Sequence, residues 1–228
     1  DEAAILLSVE LCSLTLQVDD LSVANIISSG LFGDGAAAVL LVGDKHALAN
    51  EVEVQRVKNI EFQRFNGSSE KSQKQAELSH PQVLSSRSIF FPDSEEVMGW
   101  DVTDRGLKIV LGQGVPGYAS QLRPHVESFL SEFGLALTDV AVWLTHPGGP
   151  KVIDAIESGL DLPTKTLDRT RKHLREIGNL SSTSVLVLLD ECLNGPLPEI
   201  AGKSCVYRYG MMLSMGPAFS AELVLLKW

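Results

Sequence analysis

The stretch Ala141-Val-Trp-Leu-Thr-His-Pro-Gly-Gly-Pro150 carries a strand pattern, a histidine and the start of a helix. Residues 140–144 form a short apolar run that is typical of a buried strand, and the Pro-Gly-Gly that follows cannot continue it. Because a proline follows His146, its backbone favours an extended conformation that leaves the imidazole at the strand end. In α/β sheets this position carries chemistry, although a core or capping histidine would show the same pattern.

Working outward, the chain alternates between strand and helix patterns. Pro150 suits the first position of a helix whose apolar face is Val152, Ile153, Ile156 and Leu160. The patterns predict strands over residues 3–9, 52–65, 83–91, 205–213 and 219–226, a strand-like stretch over 97–111 with Trp100 and Asp101 in a turn, and helices over 20–31, 116–132 and 167–177. We expect Asp20 to cap the first helix, Gly134 to end the second, and polar loops over 66–79 and 194–203. The fold class is therefore α/β.

Residues 33–38, Gly-Asp-Gly-Ala-Ala-Ala, have the spacing of a dinucleotide-binding fingerprint with alanine in its last place. The context is reversed, however, because a helix pattern precedes the glycines and a strand pattern follows them. The stretch instead predicts a turn at which two backbones approach closely.

Charge and composition exclude several classes of partner. The formal net charge of −10 argues against a nucleic-acid or anionic-membrane surface, and no apolar run is long enough to cross a membrane. Three widely spaced cysteines, Cys12, Cys192 and Cys205, suit a reducing cytoplasm. We expect no metal site and no cofactor. The first residue is not methionine and a strand begins almost at once, so we also expect the sequence to be a piece of a longer protein.

A second informative stretch is Arg175-Glu-Ile-Gly-Asn-Leu-Ser-Ser-Thr-Ser184. Gly178 ends a charged helix whose outer face we expect to include His173, and Ser181 or Ser182 caps a new, largely apolar and buried helix. Asn179 then lies at a helix N-terminus, where amide donors favour a developing negative charge. A turn asparagine in the left-handed conformation is the alternative.

Cys12, His146 and Asn179 also follow one another in the order of a thiol hydrolase. Their interval of 146 − 12 = 134 residues falls in the papain-like range of about 130–150. Such an enzyme requires a Cys12 thiol of depressed pKa. Cys12 lacks the papain signature and follows a strand, which favours a small apolar wall residue instead.

Several motifs together resemble the type III polyketide synthases, the chalcone-synthase-like enzymes. The region from Trp100 to Pro116 and the closing residues 219–228 resemble bacterial members more than plant ones. The motifs are Val9-Glu-Leu-Cys-Ser-Leu-Thr15, Leu31-Phe-Gly-Asp-Gly-Ala-Ala-Ala38, Trp143-Leu-Thr-His-Pro-Gly-Gly-Pro150, Gly178-Asn-Leu-Ser-Ser182 and Met215-Gly-Pro-Ala-Phe219. Ketoacyl-carrier-protein synthases are the second choice, because they typically show His-Gln-Ala-Asn where this sequence has His-Pro-Gly-Gly.

The resemblance implies a thiolase-type fold of two βαβαβ halves in α-β-α-β-α layers, usually a homodimer. Residues 1–112 would be the tail of the first half with connecting strands, and residues 113–228 the complete second half. It implies an acyltransferase that condenses malonyl-coenzyme A with an acyl-coenzyme A starter by decarboxylative Claisen chemistry. His146 and Asn179 match its catalytic histidine and asparagine. The nucleophilic cysteine would precede residue 1, so the chain alone is expected to be inactive.

The resemblance further assigns the substrate-binding residues. Phe32 matches a gatekeeper phenylalanine, and the backbone at Gly148, Gly149 and Lys151 would lie along the pantetheine arm of coenzyme A. The remaining cavity positions are Cys12, Thr15, Ile109, Ser181, Met215, Gly216 and Pro217. A non-catalytic scaffold half is a further alternative; it predicts no low-pKa thiol and no substrate binding.

Overall fold

The computed structural model describes residues 2–49, 80–112, 114–194 and 208–228. Some of the predicted elements lie outside these residues: the strand over 52–65, the loop over 66–79, most of the loop over 194–203 and the start of the strand at Cys205. The described elements are β1 (Ala3–Glu10), α1 (Val23–Leu31), β2 (Gly35–Val42), β3 (Gln82–Phe90), β4 (Met98–Thr103), β5 (Gly106–Leu111), α2 (Val115–Ala119), α3 (Arg123–Ser131), β6 (Val140–Thr145), α4 (Pro150–Gly159), α5 (Asp168–Glu176), α6 (Thr183–Leu193), β7 (Tyr209–Gly216) and β8 (Ser220–Lys227). Short 3-10 turns occur at Cys12–Thr15, Ala47–Ala49 and Leu137–Asp139.

The central layer is a mixed sheet with the strand order β3-β8-β7-β6. β6 and β7 are parallel, and the chain crosses between them through α4, α5 and α6, whereas β8 is antiparallel to both of its neighbours. The apolar face of α4 that the sequence predicts is buried, with Ile153, Ile156 and Leu160 fully inaccessible. The parallel pair fixes the end of β6, and therefore His146, at one edge of this sheet.

Two antiparallel ribbons lie apart from the central sheet. In the first, β1 pairs with β2 over its full length, from Ala3 opposite Val42 to Glu10 opposite Gly35. In the second, β4 pairs with β5. The prediction of a turn at Trp100 and Asp101 is wrong, because both residues lie within β4. The chain reverses instead before Gly106, whose φ of +109° is a conformation that glycine adopts without strain.

Two predictions about helices are wrong. The expected helix over 116–132 is divided into α2 and α3, because Pro124 has no N–H to donate to the carbonyl of Ser120. Its inward residues are as predicted, since Leu122, Val126 and Leu130 are fully buried. The cap of α1 is Ser22, whose side chain accepts a hydrogen bond from the Asn25 N–H at 3.3 Å, and not Asp20, which accepts from the Ser22 N–H at 2.9 Å.

In the described part of the chain, no helix is long and apolar enough to cross a membrane.

Candidate active site

His146 lies immediately after β6, at the edge of the central sheet where the sequence places it. Its backbone N–H donates to the Leu213 carbonyl of β7 at 2.8 Å, which continues the parallel pairing by one residue. Its own carbonyl accepts from the Gly148 N–H at 3.0 Å, and Gly149 has a φ of +141° that starts the turn into α4. The backbone of the site histidine is therefore held on both sides.

Asn179 lies in the turn between α5 and α6, and only 4% of its surface is exposed. Its N–H donates to the Leu31 carbonyl at 2.7 Å, and its carbonyl accepts from the Gly33 N–H at 3.0 Å. Asn179 thereby forms a parallel bridge with Phe32. The left-handed alternative for Asn179 is wrong: the positive φ angles of this turn belong to Gly178 (+99°) and Ser181 (+51°).

Close approach of two backbones explains the glycines of the fingerprint-like stretch. A Cβ atom on Gly35 would come within 2.8 Å of the Leu180 side chain, and one on Gly33 within 3.1 Å. A Cβ atom on Gly178 would come within 2.8 Å of the Leu31 carbonyl. The stretch is thus a packing turn against the Asn179 loop, as the reversed motif context predicts.

One residue, Ser181, contacts both site residues through its backbone. The His146 imidazole donates a hydrogen bond to the carbonyl of Ser181. The N–H of Ser181 donates to Oδ1 of Asn179 at 2.9 Å, which turns the amide NH₂ of Asn179 away from this contact. The structure therefore brings together His146, Asn179, Ser181 and Phe32.

Burial lowers the pKa of His146 from 6.5 to about 4. The hydrogen bond to Ser181 opposes this shift, the charge of His173 adds to it, and Glu10 opposes it. The imidazole is therefore neutral near pH 7 and carries a single ring proton. Since that proton is donated to Ser181, the other ring nitrogen presents a lone pair and can accept a proton.

Cys12 does not have the lowered pKa of an activated thiol. Its pKa is raised, chiefly by burial and further by the charges of Glu10 and Asp34. This direction is opposite to the one that the thiol hydrolase alternative requires. The carbonyl of Cys12 accepts from the Thr15 hydroxyl at 2.8 Å, so these two residues form one 3-10 turn.

The other predicted site residues fall into three groups. Phe32 contacts Trp100 with ring centroids 6.4 Å apart, and Trp100 is paired with the buried Ile109. At the sheet edge, Met215 and Gly216 end β7 and Pro217 follows them, beside the strand end that carries His146. Gly148, Gly149 and Lys151 form the turn into α4 and its first residues, where the Lys151 side chain is exposed.

The sequence prediction for α5 missed a buried polar face. His173, expected on the solvated side, is 1% exposed, and Thr170 is fully buried. The Thr170 hydroxyl lies 3.1 Å from that of Thr145, the last residue of β6. The spacing of Leu167, Thr170 and His173 at three residues is the signal that these residues share one helix face.

The N-terminus of α6 is also capped differently from the prediction. Ser182 occupies the cap position, but its side chain makes no capping hydrogen bond and instead contacts Glu10. The Ser184 hydroxyl accepts from the Leu180 N–H at 2.8 Å.

Among the described residues, no group of three or more His, Cys, Asp or Glu side chains is arranged to hold a metal ion.

The sequence of the chain is similar to those of known proteins. The profile of the C-terminal domain of chalcone and stilbene synthases matches residues 82–228. A 1,3,6,8-tetrahydroxynaphthalene synthase of Streptomyces peucetius subsp. caesius is 37% identical over 229 residues, covering 100% of this chain and 52% of that protein. The chain thus spans about half the length of the curated relatives that it matches.

The fold of the chain is also similar to those of solved structures. The 1,3,6,8-tetrahydroxynaphthalene synthase from Streptomyces coelicolor A3(2), a bacterial type III polyketide synthase, superposes with a TM-score of 0.74 at 25% identity, covering 99% of this chain and 54% of that chain. The C-terminal type III polyketide synthase domain of Steely1 from Dictyostelium gives 0.72 at 22% identity, covering 99% and 53%.

Proposed function

The chain belongs to the chalcone and stilbene synthase family, the type III polyketide synthases, and from this premise we propose that it supplies the histidine and asparagine of a condensing active site. The proposed reaction is decarboxylative Claisen condensation of malonyl-coenzyme A with an acyl-coenzyme A starter. The ketoacyl-carrier-protein synthase alternative has less support, because the matching profile is that of chalcone and stilbene synthases.

The observation that carries the proposal is the shared contact at Ser181. Its carbonyl accepts from the His146 imidazole, and its N–H donates to Oδ1 of Asn179. We infer that the proton-accepting ring nitrogen of His146 and the amide NH₂ of Asn179, whose side chains both contact Ser181, face the same space. An amide NH₂ and a ring nitrogen so placed are suited to a thioester oxygen on which negative charge develops.

The protonation state of His146 defines its part in each step. As a neutral imidazole it accepts the proton of a cysteine thiol, and the thiolate so formed attacks the acyl-coenzyme A carbonyl. The acyl–sulfur bond of the starter breaks, and coenzyme A leaves as a thiolate that takes a proton from solvent. The resulting imidazolium has two N–H groups, one for Ser181 and one for the thioester oxygen. When malonyl-coenzyme A loses carbon dioxide, this N–H and the Asn179 amide share the enolate charge.

We assign the nucleophile to a cysteine outside these 228 residues. The raised pKa of Cys12 and of Cys192 argues against both thiols, and burial is the main cause in each case. Cys12 is better suited to the cavity wall, with Thr15, Ile109 and the residues around Met215. Phe32, which is bridged to Asn179 and makes a tilted ring contact with Trp100, would serve as an apolar gate beside the proposed oxyanion site.

We assign residues 1–112 to the remainder of an N-terminal thiolase-like half and residues 113–228 to the C-terminal half of a five-layered homodimeric enzyme. The likeness to type III polyketide synthase structures over about half of their length supports this assignment. Gly148, Gly149 and the exposed Lys151 are then positioned for the pantetheine arm and phosphates of coenzyme A.

The test uses the gene product purified from its native source. Incubation with an acyl-coenzyme A, followed by intact-mass and peptide mapping, is expected to find the acyl group on a cysteine other than Cys12, Cys192 or Cys205. An adduct on Cys12, or a protein that forms no adduct at all, would overturn the assignment.

The Asn179→Ala variant of the same protein tests the oxyanion proposal. Loss of one donor should lower malonyl-coenzyme A decarboxylation by about 10²–10³-fold. Asn194→Ala is the matched control, because Asn194 lies at the exposed C-terminus of α6 and contacts Asp190. Equal rates in the two variants would remove Asn179 from the site.

A further inference from the structure

The 3-10 turn Cys12–Thr15, which we call the wall turn of the proposed cavity, is held by a carboxylate from another segment. The turn begins with a hydrogen bond from the Leu14 N–H to the Leu11 carbonyl at 3.1 Å, and the Leu11 side chain does not cap it. The turn itself offers no carbonyl to the N–H of its second residue, Ser13. This N–H donates instead to Oδ1 of Asp34 at 2.7 Å, and the Ser13 hydroxyl donates to Oδ2 of Asp34 at 2.6 Å.

Both hydrogen bonds are made to one ionised carboxylate. Their lengths are typical of charge-assisted hydrogen bonds, which are stronger than those between neutral groups. The same contacts lower the pKa of Asp34, with the Ser13 hydroxyl as the larger cause and the Ser13 N–H as the second. Asp34 therefore stays an anion at neutral pH and acts as the cap of the wall turn.

The backbone of Asp34 is fixed against the loop of Asn179. Asp34 lies between two glycines, Gly33 and Gly35, at which an added Cβ atom would come within 3.1 Å and 2.8 Å of the Leu180 side chain. The Gly33 N–H also donates to the Asn179 carbonyl at 3.0 Å. The carboxylate that caps the wall turn therefore projects from a backbone that is packed and hydrogen-bonded beside the proposed oxyanion residue.

The segment that follows the wall turn reaches another part of the proposed cavity. The side-chain amide of Gln17 donates to the Leu107 carbonyl of β5 at 3.2 Å. Two residues further along β5 lies Ile109, whose side chain is buried. A continuous series of contacts thus joins the Asn179 loop, Asp34, the wall turn and β5.

We propose that Asp34 is a positioning residue that fixes the wall turn relative to Asn179 and thereby determines which polyketide chain length the cavity accommodates. Each condensation lengthens the growing chain by two carbons, so a displaced wall changes the length that still fits. This inference rests on the proposed function, but the hydrogen bonds at Ser13 can be measured without turnover.

The test compares two neutral substitutions of Asp34 in the gene product. Asp34→Ala removes both acceptor oxygens. Asp34→Asn keeps both contacts, because its amide oxygen accepts from the Ser13 N–H and its NH₂ donates to the Ser13 hydroxyl oxygen. Amide hydrogen exchange at Ser13 should be at least about threefold faster in Asp34→Ala and close to wild type in Asp34→Asn. Ser13→Ala removes one of the two donors and should loosen the turn less than Asp34→Ala.

The functional readout is the product mixture formed from malonyl-coenzyme A and one acyl-coenzyme A starter. Asp34→Ala should lower the share of the major chain length by at least about twofold in favour of other lengths, and Asp34→Asn should restore it. Malonyl-coenzyme A decarboxylation should stay within about twofold of wild type in both variants, because His146 and Asn179 are unchanged. Asp19→Ala is the matched control: Asp19 is an exposed carboxylate of the same segment that pairs with Arg105 at 2.7 Å, and its loss should change neither readout.

The outcomes separate the hydrogen bonds from the charge. Unchanged exchange in Asp34→Ala, or faster exchange with an unchanged product mixture, would overturn the proposal. Equal product shifts in Asp34→Ala and Asp34→Asn would also overturn it, since the lost charge and not the lost hydrogen bonds would then be the cause. A wild-type protein that forms no condensation product, together with faster exchange in Asp34→Ala, would count against the proposed function and leave the cap at Asp34 in place.

Discussion

The properties of His146 come from its surroundings more than from its identity. A histidine before Pro-Gly-Gly is recognisable in the sequence, but its charge is not. Burial and the neighbouring His173 lower its pKa to about 4, and its single ring N–H donates a hydrogen bond to the Ser181 carbonyl. The residue is therefore a base at neutral pH, and becomes a donor to substrate only after it has gained a proton.

The lowered pKa predicts a pH-dependent contribution of His146 to stability. Between pH 6.5 and about 4 the unfolded chain binds a proton that the folded chain does not, so this contribution is complete above pH 6.5 and is lost as the pH falls. The loss is at most about 3 kcal/mol for a shift of this size. Chemical denaturation of wild type and His146→Asn at several pH values measures it. The stability difference between the two proteins should change across this window, and parallel curves would contradict the shift.

At the scale of elements, glycines set the approach of α1 to the turn between α5 and α6. Gly178 combines a φ of +99° with a Cβ position only 2.8 Å from the Leu31 carbonyl. Gly30, in the last turn of α1, has nothing within 4 Å of its Cβ position. A side chain therefore does not fit at position 178, whereas there is room for one at position 30.

We expect Gly178→Ala to destabilise the chain by roughly 1–3 kcal/mol, because the added methyl group meets a fixed carbonyl in a strained conformation. Gly30→Ala should instead stabilise it by about 0.5–1 kcal/mol, since alanine favours the helix. Denaturant unfolding of both variants measures the difference. Similar changes in the two variants would contradict the close approach at Gly178.

A charge cluster joins α5 to α4. Arg171 lies 2.8 Å from both Asp154 and Glu157, and Glu157 Oε1 also accepts from the Leu167 N–H at 3.0 Å. The pKa of Arg171 is raised, chiefly by its hydrogen bonds with Glu157, and its cation is therefore retained.

Replacing Arg171 with methionine should cost roughly 1–2 kcal/mol, because Glu157 is left partly buried without its cation. Lys172→Met is the matched control: its contact with Glu176 is 3.9 Å long and exposed, so its loss should cost less than about 0.5 kcal/mol. Thermal or denaturant unfolding measures both. Equal losses would show that the cluster contributes no more than an ordinary surface pair.

At the scale of the whole molecule, the N-terminal ribbon and α1 present a broad apolar surface. Ile5, Leu7 and Val9 alternate along the outer face of β1 and are 74%, 67% and 57% exposed. Ser8, on the opposite face, contacts Ser182 and Thr183 at the start of α6. Surfaces of this kind mark contacts with other protein.

This surface should bind the dye ANS and promote self-association of the 228-residue chain. Leu7→Lys is expected to reduce the dye fluorescence markedly with little change in unfolding free energy, because the side chain makes few contacts. Val102→Lys, at an 86% exposed position of β4, makes the same chemical change away from the ribbon and should leave the fluorescence nearly unchanged. Equal effects of the two substitutions would contradict a continuous patch on the ribbon.

Sequence periodicity was sufficient for most strands and helices, because each buries one face whose spacing is visible along the chain. It identified the end of β6, the start of α4 at Pro150 and the glycine turn before β2. It was insufficient where the conformation of a single residue decides where an element ends. The break before α3 depends on a carbonyl that Pro124 cannot satisfy, and the reversal of β4 depends on Gly106.

What the sequence by itself determined was the order of the elements, the family motifs and the positions of His146 and Asn179. Only the tertiary structure decided that Ser181 orients both residues, that Cys12 has a raised pKa and that His173 is buried beside Glu191. The physical reason is that hydrogen bonding, desolvation and charge act between atoms that are close in space. Residues 10, 146, 173 and 191 are distant in the chain, and no local pattern records their distances.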